Sequence, residues 1–186
     1  MTLLLAGLVL WTAAHLFKPA MPDARAALAA RLGDGPSKGV VALFIALGLG
    51  LIVIGFRQAP VTSVWFPPAW TVHLNNLLML IAVALLGLGH SKSRARPWVR
   101  DPMLSGVLLW AIAHLLVNGD VASIVLFGWM GAWALVEMAF ARRRPAPVPP
   151  AGSLAGDIRL VLITLVVFAV IVAIHTRLGY PPFPQG

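Results

Sequence analysis

Apolar residues fall in six blocks, each bounded by charged, proline or glycine positions. The blocks are Thr2–Phe17, Gly39–Phe56, Trp70–Gly89, Pro102–Val117, Val121–Phe140 and Ile158–Thr176. A helix needs about 20 apolar residues to cross the hydrocarbon core of a bilayer. Strands of a membrane barrel would alternate residue by residue in shorter segments. The pattern therefore predicts an all-α polytopic membrane protein, a bundle of six transmembrane helices. The first and fourth blocks are short and are expected to extend into interfacial turns. The first begins without a basic leader region and reads as a retained span.

The polar breaks carry the orientation. Lys18, Arg25, Arg31 and Lys38 lie in the first break, and Lys92, Arg94, Arg96 and Arg100 in the third. Arg142, Arg143, Arg144 and Arg159 lie in or beside the fifth, whereas the alternate breaks hold only Arg57 and Arg177. The positive-inside rule places the basic breaks in the cytoplasm and both termini outside. The expected organisation is one membrane domain over residues 1–186, located in a bacterial inner membrane. Residues 18–38 form a cytoplasmic amphipathic loop, in which Pro22 suits a first helical turn and Gly33 a stop. Residues 142–157 form a linker rich in Arg and Pro, with Pro145, Pro147, Pro149 and Pro150 stiffening it.

Composition agrees: 60% of residues are hydrophobic and 11% charged. The net charge of +8 could suggest nucleic acid, but its position in the loops is what membrane topology requires, so no nucleic-acid partner is expected. The chain has no cysteine, which excludes disulfides, thiolate metal sites and cysteine nucleophiles. The partners expected instead are the lipid bilayer and a hydrophobic small molecule.

Five histidines lie in or at the ends of the blocks. His114 is the deepest: it stands 12 residues beyond Pro102, roughly 18 Å at 1.5 Å per residue. Its helical neighbours Ala111, Ala113, Leu115 and Leu116 give it no polar partner, so one must come from elsewhere. Imidazole is a common metal ligand and an axial ligand of heme iron. Zinc wants three or four convergent ligands, and the Glu-x-x-His pattern of di-iron bundles is missing. A porphyrin needs only one or two histidines and an apolar slot, and small residues such as Gly106 and Ala111 are expected to leave room for a flat ring. By depth, His73 and His175 are companions of His114 on the outer side, while His15 and His90 lie near the cytoplasm. In the turn Asn118-Gly119-Asp120, Asp120 can cap the next helix or hydrogen-bond a histidine ring. The outer segment from Trp65 to Trp70 can serve as an interfacial aromatic belt or as a cap over an intramembrane pocket.

The run Trp110-Ala-Ile-Ala-His114-Leu-Leu-Val-Asn118-Gly119-Asp120, continuing to Gly128, resembles the hallmark segment of the NnrU family. Ala14-His15, Arg31 to Gly39, Pro67 to Leu74 and His175 to Gly179 are similar as well. The resemblance implies an integral membrane protein linked to nitrite and nitric oxide metabolism in denitrifying bacteria. It also implies kinship with the zeta-carotene isomerase, a membrane protein carrying heme b. By that kinship His15 and His114 match the heme-ligating histidines. Where the isomerase has a cysteine three residues before the second histidine, this chain has Ala111. Where the family has His-Pro at the foot of the fourth block, it has Asp101-Pro102. The implied alternatives are a heme protein in nitrogen-oxide metabolism or redox isomerisation, and a non-enzymatic accessory or assembly protein for a nitrogen-oxide reductase.

Overall fold

The computed structural model describes residues 1–146, 148–149 and 151–183; Pro147 and Pro150 of the expected proline-rich linker lie outside them. Seven α-helices follow one another: α1 (Thr2–Ala20), α2 (Pro22–Leu32), α3 (Asp34–Arg57), α4 (Thr71–Leu88), α5 (Pro102–Leu115), α6 (Val121–Arg142) and α7 (Leu154–Arg177). Among the described residues there is no strand beyond an isolated bridge between Ser63 and Asp120.

Five helices, α1, α3, α4, α6 and α7, are long and apolar enough to cross a membrane. The expected sixth span, α5, has only 14 residues. It reaches roughly 21 Å, against a core of about 30 Å. Pro102 opens it and the turn at Asn118-Gly119 follows its end, so local chemistry keeps it short.

The break at 18–38 is almost wholly helical. α1 runs on to Ala20 and α3 starts at Asp34, five residues before the apolar block. Between them α2 begins on Pro22 and stops at Gly33, whose φ of +85° only glycine adopts without steric cost. Arg25 Nη1 donates to Ser37 Oγ at 3.1 Å, tying α2 to the start of α3. α7 likewise begins at Leu154, ahead of the apolar block, because Ser153 caps it by accepting from the Gly156 N–H at 3.0 Å.

The chain forms two compact units, one of Met1–Ser63 with Asp120–Trp129, the other of Val64–Gly119 with Met130–Gly186. In the first, α1 and α3 pack antiparallel at close range. A Cβ on Gly48 would lie 2.8 Å from Trp11, one on Gly7 would lie 2.6 Å from the Ile52 nitrogen, and one on Gly55 would collide with the Leu4 backbone. Small residues at such seams let membrane helices approach closely. Leu4 and Leu8 are fully buried there. Trp129 Nε1 donates to Thr12 Oγ1 at 2.9 Å, joining the start of α6 to α1.

In the second unit α4 is central, packing against α5 and against α7. A Cβ on Gly106 would touch the Ala82 carbonyl and the Leu86 side chain, and Ala111 faces Gly131. The small residues expected to leave room for a flat ring are thus taken up by helix–helix contact. The base of this unit is held by Asp157. Its Oδ1 accepts from Ser93 Oγ at 2.7 Å and from the Arg94 N–H at 2.8 Å, while Oδ2 pairs with Arg94 Nε at 2.5 Å. Gly152 and Gly156 lie against the backbone of Lys92 to Arg94, where a side chain would not fit.

Candidate functional site

A cavity of about 290 Å³ opens in the second unit beside α4. Asn75 and Asn76 line it from α4, Trp110 and His114 from α5, Phe168 and His175 from α7. Asn75, Asn76, His114 and His175 lie towards the end of the unit at which α4 begins and α5 and α7 finish, while Ala82, Val83 and Leu86 carry the cavity along α4 towards its other end. Pro182, beyond α7, also lines the cavity, and its carbonyl accepts from Asn76 Nδ2 at 2.8 Å.

The two cavity histidines are held alike. His114 Nδ1 lies 2.9 Å from the Trp110 carbonyl and His175 Nδ1 lies 2.9 Å from the Ile171 carbonyl. A carbonyl only accepts, so each Nδ1 carries the hydrogen, and in the neutral ring the lone pair is on Nε2. Ligating histidines are usually prepared in this way, with one nitrogen donating to a carbonyl while the other binds the metal.

His15, in the first unit, repeats the arrangement: its Nδ1 lies 2.9 Å from the Trp11 carbonyl, and its ring sits 3.8 Å from the Trp11 ring, centroid to centroid. At His114 the Trp110 ring is 5.2 Å away. Trp11-Thr-Ala-Ala-His15 and Trp110-Ala-Ile-Ala-His114 therefore share Trp, Ala and His at matching positions, and both make the same clamp. This short internal echo is visible in the sequence once the geometry points to it; three shared positions are too few to be noticed as a repeat beforehand.

Of the four expected ligands, the structure brings His114 and His175 to one cavity. His73 is exposed at the start of α4 and does not line that cavity. His15 belongs to the other unit. Asn118 bonds to the backbone of His114: its Nδ2 donates to the His114 carbonyl at 2.8 Å. Asp120 caps α6, its Oδ1 accepting from the Ser123 N–H at 3.0 Å. The segment from Trp65 to Trp70 does not line the cavity either. Its start latches onto the turn instead, with Val64 and Trp65 N–H groups donating to the Gly119 carbonyl at 2.7 and 3.2 Å.

Among the described residues, no three His, Asp or Glu side chains gather closely enough to hold a bare metal ion. The donor chemistry does fit a porphyrin iron, which needs one or two imidazoles and otherwise apolar walls. The volume is at the lower limit of small-molecule pockets, about 300 to 1,000 Å³, and suits a ligand's head better than a whole macrocycle.

Fold and site together define a helical membrane protein with a histidine-bearing cavity along α4. The chain matches the family model described as NnrU protein over residues 3–182, and it belongs to the NnrU family. No curated protein and no solved structure matches it.

Proposed function

We propose that this NnrU-family membrane protein binds b-type heme through intramembrane histidines, His15 and His114 first among them, in a bacterial inner membrane. The reading extends to a role in nitrite and nitric oxide metabolism, or in a redox isomerisation like that of the zeta-carotene isomerase. The observation that carries it is the repeated clamp. The two histidines implicated by resemblance are the two that follow a Trp-x-x-Ala segment, and both give Nδ1 to the Trp carbonyl.

The clamp sets the tautomer, so that in the neutral ring the lone pair is on Nε2. It also restricts rotation of the ring, which lowers the entropic cost of ligation. Asn118 ties the carbonyl of His114 to the turn after α5, holding the end of that helix in place. When bound, a b-type heme supplies one-electron redox chemistry.

The test is an absorption spectrum of detergent-purified protein from heme-replete cells, oxidised and reduced, with a pyridine hemochrome assay to type the heme. A Soret band of b-type heme is expected, lost in His114→Ala and shifted or lost in His15→Ala. A colourless preparation from heme-replete cells overturns the proposal.

A further inference from the structure

The cavity holds a polar feature that iron ligation does not use. The Pro182 carbonyl can only accept, so the group that Asn76 turns towards it is its Nδ2. Asn76 Oδ1 must then be an acceptor, and Asn75 Nδ2 donates to it at 3.1 Å. This relay leaves Asn75 Oδ1 buried with no hydrogen-bond partner among the described residues. A buried carbonyl-type oxygen left unsatisfied is costly, and it calls for a donor. His175 Nε2, on the wall contributed by α7, is a second acceptor by the tautomer argument above. Around them the walls are apolar and aromatic, with Trp110 and Phe168 among them.

From this arrangement we infer that the cavity is a binding site for a membrane-soluble molecule with a hydroxylated aromatic head, of the hydroquinone class. One O–H donates to His175 Nε2 and the other to Asn75 Oδ1, which is covered in the empty cavity and meets the head when the Asn75 amide turns towards it, while the ring lies against Trp110 and Phe168. A volume of about 290 Å³ accommodates such a head, with the apolar remainder left in the lipid. The inference uses neither His15 nor an iron; His114 lines the same cavity, so the head binds there where that space is not filled by a macrocycle.

The experiment compares two probes on the full-length protein at fixed detergent concentration under argon: decylhydroquinone and its dimethyl ether. They share the ring and the alkyl chain; the ether carries two additional methyl groups and has no O–H donor, so the loss of preference in the variants below is what separates hydrogen bonding from size. Isothermal titration is expected to show the ether binding at least about tenfold more weakly, since it leaves a buried acceptor unpaired. In Asn75→Leu and in His175→Leu the preference should fall towards unity, mainly by weakening of the hydroquinone. Equal binding of both probes to the unaltered protein overturns the inference, and that comparison requires no variant to fold. Retention of the full preference in both variants also overturns it. A Soret spectrum of the same sample separates the two readings: a heme-free protein that still prefers the hydroquinone sinks only the iron, and a heme protein indifferent to the O–H groups sinks only this site.

Discussion

Asn118 donates its side-chain amide to the carbonyl of His114, 2.8 Å away, so the turn that follows α5 also holds the backbone of that histidine. The same carbonyl receives the Asn118 and Val117 N–H groups at 3.0 and 3.2 Å. Replacing Asn118 by Ala removes a half-buried hydrogen bond and should cost about 1 kcal/mol. Thermal unfolding in detergent checks this; Asn118→Ala should also bind heme less tightly, whereas an unchanged midpoint would show that the bond contributes nothing.

The turn that follows has no room for a side chain. A Cβ on Gly119 would run into the carbonyl of Trp65. Gly119→Ala should break the bonds from Val64 and Trp65 and destabilise by about 1–3 kcal/mol, the usual cost of forcing atoms into a packed site. Limited proteolysis reads it out directly, because cleavage within residues 58–70 should become faster than in the unaltered protein.

Two glycines of α3 should respond in opposite ways. Gly55→Ala places a methyl group against the Leu4 backbone and should lower stability by about 1–3 kcal/mol or abolish accumulation. Gly50 has open space around it, and Gly50→Ala should be neutral or stabilising by up to about 1 kcal/mol, since alanine favours the helix. Equal effects of the two substitutions on thermal midpoint would contradict the α1–α3 seam.

At the opposite end of the second unit, the order of effects is informative. Ser93 is only 2% exposed and its hydroxyl is bonded to Asp157, whereas the Arg94 side chain is 61% exposed. Exposed ion pairs contribute little. Arg94→Ala should therefore change the melting temperature least, and Asp157→Ala, which removes three hydrogen bonds at once, should change it most. A double-mutant cycle between Ser93 and Asp157 should show coupling, and additive effects would contradict the bond.

Much of the local architecture could be read from residue order. The helix at Pro22 and its stop at Gly33, the Asp120 cap and the six apolar blocks follow from short-range rules: periodicity, capping and the steric freedom of glycine. The seam of Gly7 and Gly55 was not legible, because a glycine in an apolar helix looks the same whether it faces a neighbour or lipid; Gly50, in the same helix, faces open space. The role of Asp157 was hidden for a similar reason. Its partners Ser93 and Arg94 lie more than 60 residues away, and nothing near Asp157 announces them.

The histidines divide along the same line. From sequence alone, hydropathy makes His114 the most deeply placed ring, and the energetic cost of a polar group in an apolar helix makes it the leading candidate. Family membership was legible too, through the segment from Trp110 to Gly128. Which ring shares a cavity with His114 was decided by packing. α4 lies against both α5 and α7, antiparallel to each, and so brings the end of α7 level with the end of α5. That places His175 beside the cavity and leaves His73, on the same turn of α4 as Asn76, exposed. Depth along each helix is a property of its own sequence, whereas the direction a residue faces is set only when the helices meet.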